Sequence, residues 1–363
     1  MGHPLRRRTL SGFLRGMRMA ALLSALACRA LAAWADGREP TAGEVPRPVF
    51  GEIWAYLMRG EEDRLTGTEP ITDLCYFSAS MARNGRITST VERPSLTLKD
   101  GSKPRVHLVI AELSNPALMH FALDPRYGVT PLLIDDICRV AGDFDGVQID
   151  FESVARDDAP VFHEFLRGLR GRLPPDKRLS IAVPARTRLI EDAYAYPKLA
   201  PIVDRLVIMA YDEHWSTSEA GPVASLPWCT KVVEYARSAV ETGRIVMGLP
   251  LYGRAWPDKR LARALRFENI QELLAETQIT PRYAPEHGPT FEYPENVTVT
   301  VFFDDLRSLM DKLWLYRARD IGAVSFWRIG QGPPELWSSI ENAAQRDTAA
   351  SGDPGQPPAR GGS

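Results

Sequence analysis

From about residue 50 to residue 340 the chain alternates short apolar runs with amphipathic stretches. Eight apolar runs stand out: Ile53–Met58, Ile71–Phe77, Val106–Ala111, Gly146–Phe151, Leu179–Val183, Leu206–Tyr211, Ile245–Leu249 and Ile321–Phe326. Each has the length and continuity of a strand covered on both faces. Helical patterns lie between several of them, at Pro131–Ala141, Ala159–Leu173, Pro227–Thr242 and Asp305–Ala318. Strands that alternate with helices pair in parallel through right-handed crossovers. The pattern predicts an α/β fold, a (β/α)₈ TIM barrel, whose usual size of ~250 residues plus insertions suits this span. The stretch from 263 to 300 is longer than one crossover needs. It mixes a helix, Phe267–Thr277, with strand-like Thr290–Tyr293 and Val297–Phe303, and so predicts a small α+β insertion between strands 7 and 8. An open doubly wound sheet is the alternative, but it wants a glycine-rich phosphate turn after an early strand, and none is present.

The ends depart from this pattern. Residues 1–35 are basic at first, through Arg6, Arg7, Arg8, Arg15 and Arg18, then apolar from Met19 to Ala27, with A-x-A steps at 25–27, 30–32 and 33–35. A basic start, a short apolar run and a small-residue site form a secretory signal peptide. A lipoprotein cleavage after Ala27, ahead of Cys28, is the variant reading. The expected location is therefore exported: periplasm, cell envelope or secreted, with a lipid-anchored form as the alternative. The apolar run is shorter than the ~20 residues that span a bilayer, and no later segment is apolar enough, so no transmembrane segment is expected in the mature chain. Residues 342–363 are rich in Gly, Pro, Ala and Ser without an apolar period, and read as a disordered tail. The barrel is expected over 48–341.

Composition narrows the partners. With 44 Lys+Arg against 46 Asp+Glu, the chain lacks the basic face that a nucleic-acid polyanion needs. Cys28, Cys75, Cys138 and Cys229 contain no C-x-x-C pair, and free thiols are expected of those in the fold. The 6 His show no metal spacing, so neither a metal nor a cofactor is expected. A monomer is the expected state.

Chemistry concentrates in the fourth run, Phe144-Asp145-Gly146-Val147-Gln148-Ile149-Asp150-Phe151-Glu152. Strand alternation turns Val147, Ile149 and Phe151 to one face and Gln148, Asp150 and Glu152 to the other. In a barrel the apolar set meets the outer helices. The polar set then enters the lumen, with Glu152 near the C-terminal rim where barrel active sites lie. Next-nearest positions on one strand face are ~6–7 Å apart, so Asp150 and Glu152 can share a site. Two carboxylates that close, partly stripped of water, push one another toward protonation, which is what a general acid needs. The competing reading is a strand ending in a polar loop with both acids solvated.

Asp145-Gly146-Val147-Gln148-Ile149-Asp150-Phe151-Glu152 resembles the fourth-strand signature D-G-x-D-x-D-x-E of glycoside hydrolase family 18, the chitinase and endo-N-acetylglucosaminidase family. Met209-Ala210-Tyr211-Asp212 is similar to that family's sixth-strand M-x-Y-D, and Gly248-Leu249-Pro250-Leu251-Tyr252-Gly253 to its seventh-strand G-x-P-x-Y-G. Gly322-Ala323-Val324-Ser325-Phe326-Trp327 resembles its last strand. Tyr211-Asp212-x-His214-Trp215, Gly221-Pro222 and Pro227-Trp228 place the nearest likeness in the branch of spore-cortex and peptidoglycan N-acetylglucosaminidases. Two departures from the chitinase pattern stand out: Gln148 replaces the middle Asp, and Ala111-Glu112-Leu113-Ser114-Asn115 replaces the third-strand S-x-G-G.

The resemblance implies substrate-assisted hydrolysis, an exception to the two-carboxylate scheme. In it Glu152 is the general acid, Asp150 holds the substrate's acetamido N–H, and Tyr211 donates to the acetamido oxygen. Asp212 helps set the distorted ring, Trp327 is the floor under the sugar, and Gln148 lies beneath Asp150. Tyr56, Asn115 and Arg254 are further substrate-binding candidates, Arg254 together with Arg328 as partners for an acidic substituent. Glu112 is a cleft-lining candidate and His214 a satisfied loop histidine. Because Gln148 can bond Asp150 but cannot take its proton, Asp150 is expected to be more firmly ionised than in a chitinase. The implied partner is a glycan, peptidoglycan or a chitin-like N-acetylglucosamine polymer; the alternative is a chitinase-like carbohydrate-binding protein with weak catalysis or none.

Overall fold

In a computed structural model the structure describes residues 47–258, 262–294 and 298–343. The leader read over 1–35, Cys28, and the tail from residue 344 onward lie outside the described residues.

Eight parallel strands close into a barrel. Seven follow in chain order: β1 (Glu52–Met58), β2 (Asp73–Ser80), β3 (Arg105–Glu112), β4 (Gly146–Phe151), β5 (Arg178–Pro184), β6 (Arg205–Met209) and β7 (Ile245–Pro250). Four insertion strands come next: β8 (Tyr252–Pro257), β9 (Arg263–Arg266), β10 (Arg282–Ala284) and β11 (Gly288–Pro294). A fifth, β12 (Thr298–Phe302), completes that sheet, and β13 (Ala323–Trp327) closes the barrel between β7 and β1. All eight expected runs are barrel strands. The second begins later and ends later than its apolar run, because its pairing with β3 starts at Asp73 and continues past Phe77 to Ser80.

Strand alternation divides the core into two layers. Ile53, Ala55 and Leu57 of β1 and Val147, Ile149 and Phe151 of β4 join the large cluster between barrel and helices. Trp54, Tyr56, Cys75, Phe77, Val109, Ala111, Val207 and Val246 fill the lumen. The outer helices are α1 (Pro116–Leu123), α2 (Thr130–Val140), α3 (Ala159–Arg172), α4 (Tyr196–Leu199), α5 (Leu226–Ala239) and, after the insertion helix α6 (Phe267–Thr277), α7 (Leu306–Arg317). Phe151 shows the inside–outside logic: its ring stacks on Phe165 of α3 at 5.7 Å. Burial of apolar area, aliphatic and aromatic together, is the main favourable contribution to packing in this layer. Helix α1 is absent from the sequence-based expectation. Its sequence, PALMHFAL, is apolar nearly all round and lacks the polar face that marks a helix at a 3.6-residue period.

The insertion is a five-stranded antiparallel sheet in the order β9-β8-β12-β11-β10, with α6 against it. It has its own apolar cluster of Ala255, Ile270, Phe291, Tyr293, Val299, Val301 and Phe303. The expectation of an α+β element between strands 7 and 8 holds, but the insertion starts earlier than expected, at Tyr252, directly after β7. At the N-terminal end of the barrel the lumen is shut by ion pairs, Asp73 with Arg105 and Glu52 with Arg178 and Arg205, and by a hydrogen bond between Asp73 and His107. That end is closed, so the accessible lumen opens at the C-terminal rim.

Cys75, Cys138 and Cys229 are free thiols. No described helix is long and apolar enough to cross a membrane.

Candidate active site

The cleft at the C-terminal rim has a volume of about 390 Å³, within the range of small-molecule sites. Asp150 and Glu152 from the end of β4, Tyr211 and Asp212 after β6, Tyr252 and Arg254 of β8, Tyr56 of β1 and Trp327 of β13 all line it. All of these but Tyr252 are site residues singled out by sequence.

Asp150 is 4% exposed. Its Oδ1 is buried without a hydrogen-bond partner. Burial, and then the neighbouring Glu152 carboxyl, push its pKa up to about 8. At neutral pH these two causes favour the neutral acid in the free protein. Gln148 gives Asp150 no hydrogen bond. Its Oε1 accepts from Tyr56 Oη at 2.5 Å and its Nε2 donates to Ser180 Oγ at 3.3 Å. Fully buried in the lumen, the amide is spent on the barrel wall rather than on Asp150. Gln148 lies beneath the cleft and not on its lining.

Glu152 opens to solvent at the mouth. Its carboxyl is raised above the ordinary value, by the walls that displace water and then by the negative charge of Asp212. Burial likewise holds the Tyr211 hydroxyl far above its usual range, so Tyr211 remains a proton-bearing donor. Gly248 of β7 permits its position. A Cβ there would stand 2.7 Å from Ile208 O and 3.1 Å from the Tyr211 ring.

Asp212 has φ 58°, a left-handed conformation that a short polar side chain tolerates, and the turn swings its carboxylate toward β8. There Tyr252 Oη donates to Asp212 Oδ1 at 2.5 Å, and Arg254 donates to the same oxygen from Nε at 3.1 Å and NH2 at 2.7 Å. Arg254 thus reaches the cleft, but its charge is committed to Asp212 rather than held ready for an acidic substituent. Arg328 is likewise paired, with Glu61.

Trp327 is braced by Tyr56 and Phe77, each with its ring centroid 5.1 Å away, and forms an apolar floor. Asn115 does not line the cleft. Its Oδ1 accepts from Leu118 N at 3.0 Å as the N-cap of α1, and that capping use replaces the expected substrate contact. Glu112 accepts from Asn115 N and Ser114 N, bracing the same loop. His214 bonds Pro222 O at 2.9 Å, a satisfied loop histidine.

Sequence reasoning missed Phe77, Leu113, Met209, Tyr252 and the insertion residues Arg266 and Asn269, all of which line the cleft. Met209 and Tyr252 carried a signal, as members of the sixth- and seventh-strand motifs. Among the described residues, no group of three or more His, Cys, Asp or Glu is placed to hold a metal.

A closed parallel barrel with a carboxyl pair, a tyrosine and a tryptophan floor at its C-terminal mouth defines a barrel glycosidase. Comparison with known proteins narrows the class. The family model for glycosyl hydrolases family 18 matches residues 134–332. A protein of Bacillus subtilis (strain 168) named as a sporulation-specific glycosylase, YdhD, is 32% identical over 333 residues, covering 83% of this chain and 77% of that one. The cortical fragment-lytic enzyme of Bacillus anthracis is 29% identical over 288 residues, covering 74% of this chain and 66% of the enzyme. The crystal structure of the Bacillus cereus spore cortex-lytic enzyme SleL superposes with a TM-score of 0.71 at 27% identity, covering 83% of this chain and 77% of that one. The chain belongs to glycosyl hydrolases family 18.

Proposed function

We propose that the protein is an exported hydrolase that cuts β-linked, N-acetylglucosamine-containing glycan, peptidoglycan before chitin, by a substrate-assisted retaining mechanism. The observation that carries this reading is Asp150: a buried carboxyl with an unpartnered oxygen beside Glu152, on the wall of a cleft with an aromatic floor. A buried acceptor without a partner costs free energy. A substrate acetamido N–H would satisfy it.

In the proposed reaction Glu152, whose pKa is raised by the walls that displace water and by the Asp212 charge, gives its proton to the glycosidic oxygen. The carbonyl oxygen of the acetamido group attacks C1 of the same sugar and the leaving sugar departs. Substrate binding releases the Asp150 proton to bulk water, and the carboxylate left behind offsets the positive charge of the resulting oxazolinium-like ring. Tyr211 donates to the acetamido oxygen. Water, deprotonated by Glu152, then opens the ring with the anomeric configuration retained. Relatives named for lysing spore cortex support peptidoglycan as the polymer. Export belongs to the proposal on the strength of the leader pattern.

Digestion of purified peptidoglycan, followed by mass spectrometry of the products, tests the proposal. New N-acetylglucosamine reducing ends from the native protein, and none from Glu152→Gln, are expected. Sugar binding by the native chain without product would instead mark a carbohydrate-binding protein.

A further inference from the structure

One wall of the cleft plays no part in the proposed chemistry. It is made by Arg266 at the end of β9, Asn269 in the first turn of α6, and Gln331 on the loop after β13. Main-chain pairing of Phe267 N with Gln331 O at 3.0 Å ties the insertion to that loop. Behind the wall, Arg266 NH2 donates to Glu61 Oε1 at 2.9 Å and NH1 stands 3.6 Å from Glu268 Oε1. Both carboxylates are shared: Glu61 also accepts from Arg328, and Glu268 lies 3.4 Å from Arg64. Among the described residues, the three guanidiniums of Arg64, Arg266 and Arg328 are thus served by two carboxylates, leaving one formal positive charge in excess. Of the three, only Arg266 lines the cleft, with its side chain 32% exposed.

We propose that Arg266, flanked by the amides of Asn269 and Gln331, is a carboxylate-recognition subsite that selects glycan bearing an acidic substituent over neutral glycan. The inference rests on the glycosidase reading of the cleft and names the substrate class within it. A guanidinium has five N–H donors, and Arg266 commits one to a hydrogen bond, so a planar carboxylate finds a bidentate partner. The acids of the cleft, Asp150, Glu152 and Asp212, come from the ends of β4 and β6, on elements other than this wall. A carboxylate on the substrate therefore finds surplus positive charge at this wall and a balanced cation, Arg254, at the other, which orients the chain as well as selecting it. Arg254 does not serve this role, because Asp212 already balances it.

Initial rates on oligosaccharides of equal length, carrying either a free lactyl-type carboxylate or its carboxamide, test the subsite. The native protein should prefer the carboxylate by about 10-fold or more in kcat/KM, and added salt should erode the preference. In Arg266→Gln the ratio should fall toward one, and Arg266→Lys should keep part of it. Equal rates on the two substrates by the native protein overturn the subsite without any variant, as does a preference that survives in Arg266→Gln. Turnover of neither substrate overturns the glycosidase reading itself, and the subsite with it.

Discussion

Replacing Asp150 by asparagine should stabilise the fold at alkaline pH while removing activity. The Asp150 carboxyl is raised from 3.8 to about 8 by burial and then by Glu152. A folded-state pKa above the unfolded one means that the folded chain holds the proton while the unfolded chain has released it. Stability from this group is therefore greatest below about pH 4, declines as pH rises toward 8, and is level beyond. At about 1.4 kcal/mol per pKa unit, the ceiling on the loss is roughly 6 kcal/mol. Water drawn in beside the ionised group, and the portion owed to Glu152, bring the expected figure to about half of that, ~3 kcal/mol. Some two-thirds, ~2 kcal/mol, falls between about pH 5 and pH 8.5. Asparagine keeps the shape and never ionises. Urea unfolding of both proteins at those two pH values reads the effect: the variant's advantage should grow by ~2 kcal/mol from the lower pH to the higher. An advantage independent of pH, or a variant less stable than the native protein at pH 8.5, would refute the argument.

Other consequences follow from neighbouring contacts. Glu152→Gln should lower kcat by about 10²–10⁴-fold while leaving oligosaccharide affinity in place, as titration calorimetry can measure. Because the general acid Glu152 is raised above the ordinary carboxyl range, the alkaline limb of kcat/KM should lie above the value of a free glutamate, about 4.3; a limb at or below that value would contradict this. Tyr56→Phe strips the buried Gln148 Oε1 of its donor and should cost about 1–3 kcal/mol in denaturant unfolding. Arg254→Gln leaves the Asp212 charge less compensated, which raises Glu152 further and should move its limb of the pH–rate profile upward by up to ~1 unit.

The barrel was legible in the sequence because strands buried between lumen and helices must be apolar on both faces. Ile53 and Trp54 illustrate the point, one facing the helices and the other the lumen, both fully buried. Alternation through Val147, Ile149 and Phe151 was enough to place Asp150 in the cleft, since period 2 admits no other face. What sequence did not show were the partners. Gln148 finds Tyr56 across 92 positions and Arg254 finds Asp212 across 42, and nothing local marks either pairing. Once those pairs form, Gln148 is unavailable to Asp150 and Arg254 to an acidic substituent. Asn115 was misplaced for a different reason. An Asn followed by Pro116 carries the signature of a helix start, but an apolar helix such as α1 hides the period that would have confirmed it.

The participation of the substrate's own acetamido group is the claim on which the account turns. Measured kcat on a series of substrates with acetyl, monofluoroacetyl and trifluoroacetyl at the sugar nitrogen addresses it directly. Fluorine withdraws electrons from the attacking oxygen, so the rate should fall steeply along the series. A rate indifferent to fluorination would mean that a protein group or water attacks C1, and that Asp150 and Glu152 work by another route.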